Sequence, residues 1–366
     1  VLDLIDESQL IQDTGSIVDN LSTGVLERDQ QGTTNLYNYN YWTSPVNDGT
    51  NTFSIGSVLF DGTTATNPQT ILWTAGNDAL GTVNPITLSS RWLYSYENYP
   101  IDSYADWRRL TPSSILNVGL GFIMKGSGTA AGDQNYVFIG KPNNGDITTP
   151  ITAGNEALIG NPYPSAIDAD EFIADNSSSI LGTLSFWEHY TSNNTHITRD
   201  YQGGYSSYNL SGGNPAISPP EVSGLGSSTK LPERYVPVSQ GFIVKSNTSG
   251  GTIQFENDQR IFVKEAVTGT NTGSVFIRSS HDGHRDESET ELIKRIRLNF
   301  KTPEGAIRPL LLAFVPGDRA TDGIDYGYDG LNTEAFPSDI SWMINDIKHV
   351  IQGVGEFDVD KRYPLG

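Results

Sequence analysis

The chain has 366 residues, with 23 Lys and Arg against 43 Asp and Glu and a formal net charge of -20. That balance disfavours a phosphate backbone, which needs concentrated positive charge, and the absence of cysteine removes disulfides, thiolate nucleophiles and Cys-ligated zinc. With 38 Gly and 19 Pro but also 17 Tyr, 14 Phe and 6 Trp, the composition suits an all-β protein with an aromatic core, and no apolar run is long enough to span a membrane.

Residues 1–35 read as short N-terminal strands around Val1–Ile5 and Val25–Arg28. They are either the tail of a preceding β domain or an N-terminal strand pair of the first domain. A first β module is expected over 36–146. Its strands are Tyr37 to Tyr41, stopped by Trp42-Thr43-Ser44-Pro45, then Ser57–Phe60, Thr70–Trp73, Arg91–Tyr96, Gly121–Lys125 and Tyr136–Ile139. A second, related module is expected over 147–268. There Leu158-Ile159-Gly160-Asn161-Pro162-Tyr163-Pro164 stands in for the Trp-Thr-Ser-Pro stop, and Asp168 caps one helical turn with acids behind it. Strands follow at Leu184–His189 and Tyr205–Leu210, and 211–232 is a Gly/Pro/Ser-rich loop.

The case for duplication rests on two stretches. Val118-Gly119-Leu120-Gly121-Phe122-Ile123-Met124-Lys125 matches Val238-Ser239-Gln240-Gly241-Phe242-Ile243-Val244-Lys245, and each is followed by a Gly-rich turn and another strand-like run. Period-2 alternation puts Phe122 and Met124 on one face, and Phe242 and Val244 likewise. No helix follows either stretch, so the glycines point to close packing, not to anion binding. The last section, 269–366, reads as a C-terminal β-sandwich. Strands are expected at Ser274–Arg278, Leu292–Phe300 and Arg308–Val315, with two more on either side of a turn near Ile344 and Ile347. The whole is expected to be tandem β-sandwich, jelly-roll-like modules with long loops.

These landmarks resemble the secreted surface proteins of gliding and marine Bacteroidetes exported by the type IX secretion system. The resemblance runs through Tyr39-Asn40-Tyr41-Trp42-Thr43-Ser44-Pro45, Gly160-Asn161-Pro162-Tyr163-Pro164-Ser165, Gln240-Gly241-Phe242-Ile243 and Arg297-Leu298-Asn299-Phe300 with Asp325-Tyr326-Gly327-Tyr328-Asp329-Gly330. It implies a cell-surface, adhesin-like region just before a C-terminal sorting domain that this sequence does not include. The secretion machinery would be met through that domain. It carries over no catalytic residues. The Asn/Thr/Ser/Gly/Tyr-rich, acidic composition independently fits an extracellular bacterial protein.

Several constellations compete for chemistry. Asp318, Asp322, Asp325 and Asp329, with Asp358 and Asp360 further on, sit in Gly-rich sequence that can offer calcium its oxygen ligands, though without EF-hand spacing; turn formation explains the same residues. His281, Asp282, His284, Asp286, Glu287 and Glu289 are a transition-metal cluster or a solvated polar loop. Trp92, Tyr94, Tyr201, Tyr205 and Tyr208 are candidates for stacking on surface or matrix glycans, and structural tyrosines would look the same. Glu188 and Glu97 are the acids nearest to a glycosidase pattern, yet no Gly-x-Ser-x-Gly, His-Glu-x-x-His or Walker sequence is present. The reading is a non-catalytic structural or adhesive protein, with a carbohydrate-binding or carbohydrate-degrading protein as the alternative and surface glycans or other surface proteins as partners.

Overall fold

The computed structural model describes residues 1–366 apart from 20, 101–105, 131, 191–192, 220–221, 227, 229, 266–273, 275, 278–292 and 318. The architecture is all-β, in several sheets that combine antiparallel with some parallel pairing. Among the described residues no sheet closes into a barrel.

The two Gly-Phe-Ile stretches occupy equivalent strands. Phe122–Lys125 lies between Tyr39–Trp42 and Tyr94–Ser95, with Arg108–Arg109 beyond. Gly241–Ser246 lies between Asn155–Gly160 and Ile180–His189, with Gly203–Asn209 beyond. In both sheets these four strands run first, fourth, second, third in chain order, and the second sheet adds Tyr99–Pro100 and Gly212–Ile217 at its edges, so the expected 211–232 loop begins as a strand. Flanking elements repeat too. Leu26–Thr33 pairs with Asp133–Pro142, as Ile147–Ile151 pairs with Gly251–Phe255. Thr52–Ser54 pairs with Ile115–Asn117, as Ala166–Asp168 pairs with Tyr235–Val236, and a helix follows each first partner, Ile55–Val58 or Ala169–Asp175.

Alternation divides the side chains as the pleat requires. Phe122 and Met124 enter a core with Trp42, Phe53 and Phe138, while Phe242 and Val244 enter a second with Phe172, Phe186 and Phe255. Ile123 and Ile243 point the other way and join Tyr41, Tyr96, Leu158 and Trp187 in a third cluster drawn from both halves. Beside it the halves are stitched by matched contacts. Trp42 bridges Gln240 and Ile159 bridges Leu120. Thr43 N–H donates to Ser239 O at 3.0 Å and Gly160 N–H to Gly119 O at 3.1 Å. Ser239 and Gly119 both have positive φ, 63° and 94°. Each contact has its exchanged counterpart, the pattern of an isologous interface within one chain. Glycine is required on both sides: a Cβ at Gly121 would sit 2.6 Å from Leu158 Cγ, and one at Gly241 2.8 Å from Trp42 N.

Some local expectations give way to side-chain capping. The Ser57–Phe60 run begins as the helix Ile55–Val58, because Ser57 Oγ takes the Ser54 N–H and satisfies a donor that a helix start leaves open. Arg91–Tyr96 is likewise a 3-10 turn, Ser90–Trp92, started by the Ser89 hydroxyl accepting from Arg91 N–H, followed by the short strand Tyr94–Ser95. The Thr70–Trp73 run is two short strands, Gln69–Thr70 and Leu72–Thr74, broken at the buried Ile71. The helix after Asp168 is present, with Asp168 accepting from Asp170 N–H at 3.0 Å.

The C-terminal sheet orders Lys294–Lys301, Ile307–Phe314, Ile347–Val354 and Gly330–Leu331, with Trp342–Ile344 also on Ile347–Val354. The two expected strands do flank a turn, at Asn345 and Asp346, both with positive φ as a tight hairpin demands. Of the expected strand Ser274–Arg278, residues 275 and 278 lie outside the described residues, Ser274 makes an isolated bridge to Glu265, and Phe276 and Ile277 belong to no strand. Phe276 instead rests 5.0 Å from the Trp42 ring in the first core, and Ile277 enters the second while its N–H donates to Gln240 Oε1. That short segment is a plug between the halves. The N-terminal strand Leu2–Leu4 runs parallel to Leu26–Thr33, and the chain then crosses to the second half, where Gln9 bonds Ala166 N–H and Val263 O.

Candidate functional site

The aspartates of the C-terminal loop build turns. Asp325 accepts from Thr321 N–H and Oγ1, Asp329 accepts from Asp325 and Gly353 N–H, and Asp358 accepts from Asp360 N–H. Asp322 pairs with Lys361 at 2.9 Å, and Asp360 is exposed. Asp318 and the cluster from His281 to Glu289 lie outside the described residues. Burial, with Asp325 adjacent, lifts the Asp329 carboxyl to about 7.

The acids that converge are elsewhere. Asp175, Glu256 and Asp258 bring carboxylate oxygens within 4.8 Å of one another where the helix Ala169–Asp175 meets the turn Asn257–Gln259. This group could hold a divalent cation. Partial desolvation, then Asp258 and Asp175, pushes the Glu256 carboxyl up. Its members come from opposite ends of the second repeat, so no local spacing announces it.

The glycan-stacking candidates do not form an exposed coplanar platform. Tyr201 and Tyr208 are buried, and Tyr208 donates to Asp170. Half-buried Tyr205 bonds the Tyr41 hydroxyl at 2.8 Å and sits edge-on to Trp187. Tyr94 flanks the shared cluster, with Trp107 nearby. One face of Trp92 is stacked on His196 at 4.7 Å.

Trp92 belongs to an aromatic box around a lysine that the sequence did not single out. Lys125 Nζ lies 3.8 Å from the Trp92 ring centre and 4.8 Å from that of Tyr39. It donates to Tyr201 Oη at 2.7 Å and approaches His196 Nδ1 at 3.0 Å, while His196 Nε2 meets Asp78 at 2.8 Å. Desolvation lowers the amine to about 7, against the pull of Asp78. Only 4% of Lys125 is exposed, so the box serves to tie the first half to the 193–201 loop of the second. Nearby His189 is held to about 3 by burial, and its Nε2 accepts from Tyr39 N–H. Glu97 pairs with Arg108 at 2.8 Å, and buried Glu188 is lifted to about 7 by desolvation.

A cleft of about 590 Å³ opens between the second sheet and the C-terminal sheet. Its floor is the face of Ile180–His189 and Gly203–Asn209 that alternation leaves half-buried: Thr183, Ser185, Tyr205 and Ser207. The opposite wall holds Tyr326, Asp325 and Glu334, and Lys245 lies at one end across the strand pair from Glu156. Lys245 is the counterpart of Lys125, opened to a cleft where the other is boxed in. Arg308 in the wall is paired with Asp339 at 2.8 Å.

A family model described as a domain of unknown function (DUF8693) matches residues 1–366. No curated protein and no solved structure matches the chain. Among the described residues no helix is long and apolar enough to cross a membrane.

Proposed function

The chain belongs to the DUF8693 family over residues 1–366, and from its geometry together with the sequence resemblance to type IX-secreted surface proteins we propose that it is a non-catalytic structural or adhesive region of such a cell-surface protein. In this reading residues 36–146 and 147–268 are tandem β-sandwich, jelly-roll-like modules, 1–35 adds the strand Leu26–Thr33 to the first and reaches the second through Gln9, and 269–366 is a third sandwich. The observation that carries it is the exchange-matched seam between the two Gly-Phe-Ile strands. Sheets fastened by paired backbone hydrogen bonds, a shared aromatic cluster and a two-pronged plug resist separation, which is what a region under load outside a cell requires. The ionisable groups of the interior support the same view, since Lys125, Arg308 and Asp339 are engaged in holding loops and strands. Calcium is the expected ion, and the convergent Asp175, Glu256 and Asp258 are its better place than the aspartate loop.

The test couples retention to turnover. Beads carrying the purified chain should be held under flow on glycan- or protein-coated surfaces. Polysaccharides incubated with the same protein should gain no reducing ends. Release of reducing ends at a rate that scales with protein concentration would overturn the non-catalytic reading.

A further inference from the structure

We propose that the cleft between the second sheet and the C-terminal sheet is a binding site for a neutral oligosaccharide. Three observations select that chemistry. First, the floor carries a cross-strand row of small polar groups, Ser185 opposite Ser207 and Ser207 opposite Asn214. A covered sheet face would place apolar side chains there. Asn214 is 3% exposed, and its Oδ1 has no hydrogen-bond partner while its amide is engaged by Pro309 O. Buried Asn214 thus continues the polar row onto the third strand. Second, Tyr205 stands beside the row and Tyr326 on the facing wall, giving apolar ring surface for the C–H faces of a pyranose. Third, the charges around the cleft largely oppose one another. Glu156 faces Lys245 across the strands, Arg308 is paired with Asp339, and Asp325, which accepts from Thr321, lines the cleft with Asp329 and Glu334. An anionic glycan meets those acids and a chain of net charge -20; a polycation meets Lys245 and Arg308. An uncharged donor-rich ring meets neither difficulty. The volume of about 590 Å³ is within the range of small-molecule sites and suits a short oligomer.

The proposal deepens the adhesive reading and rests on it for its purpose: the cleft would be where that region takes hold of a glycan. Isothermal titration of the intact chain with gluco-, manno-, xylo- and N-acetylglucosamine oligomers, beside an oligouronate and a basic peptide, tests it. Saturable binding of at least one neutral oligomer is expected. Ser207→Trp, which fills the trough, should abolish it, and Ser185→Val should weaken it about five- to tenfold through loss of one hydroxyl contact. Both variants should melt close to the wild type, so that loss of binding is not loss of fold. Failure of every neutral oligomer, preference for the uronate or the peptide, or binding indifferent to Ser207→Trp would overturn the proposal. The bead assay separates it from the reading beneath. Bead retention without binding of any neutral oligomer sinks the cleft and spares the adhesive role. Oligosaccharide binding without any bead retention does the reverse.

Discussion

Buried ionisable groups give this protein an unusual dependence on pH. Desolvation lifts Asp29 to about 6, and Glu188 and Asp329 to about 7. A carboxyl that holds its proton more tightly when folded lends stability that is complete below the unfolded value of ~4 and disappears as pH rises through 6 to 7. Lys125 acts in a different window. Its folded value of about 7 lies below the unfolded one, so stability is regained as pH climbs from about 7 towards ~10. Asp339 acts in the ordinary sense: burial opposes its ionisation, but the Arg308 hydrogen bonds prevail and hold it low. Buried His189, held to about 3, adds an opposing gain as pH rises towards ~6.5, but three lifted carboxyls outweigh it, so the melting temperature should be higher at about pH 5 than at about pH 7.5, and recover towards pH 9.5. Glu188→Gln should flatten the first slope and Lys125→Met the recovery, both read by calorimetry across pH. A profile that rises steadily from pH 5 to 7.5 would contradict the assignment.

At the scale of strands, the seam glycines and the plug make separable predictions. Gly241→Ala forces a Cβ onto the Trp42 backbone, and Gly121→Ala forces one onto the movable Leu158 side chain. Each should cost about 1–3 kcal/mol, the first more than the second, measured by denaturant unfolding. Phe276→Ala should cost about 3–5 kcal/mol if the side chain fills the first core as it does beside Trp42. A loss below about 0.5 kcal/mol would show that 276–277 is not a plug. The strands around Phe122 and Phe242 and the helix capped by Asp168 were legible in the sequence, because alternation and capping are local signals. The helical starts at Ser54 and Ser89 were obscured by apolar neighbours that suit a strand equally well. Contacts that join distant residues left no trace in local pattern: the Lys125 box, the convergence of Asp175 with Glu256 and Asp258, and the open face at Ser185 and Ser207.

Among the described residues, three apolar cores and one shared cluster are tied by a strap, a plug and a seam. A cation bound only by the folded chain must raise its stability. Millimolar calcium should therefore raise the melting temperature and chelator should reverse the gain. Asp258→Asn should abolish the response while Asp322→Asn leaves it intact. The seam itself is open to native-state hydrogen exchange. The amides of Thr43 and Gly160, bonded across it to Ser239 and Gly119, should exchange as slowly as those of Phe122–Lys125 and Gly241–Ser246, at a rate set by global unfolding. Exchange at Thr43 and Gly160 that is orders of magnitude faster than in those strands would mean the two halves part freely, and would contradict a frame built on their union.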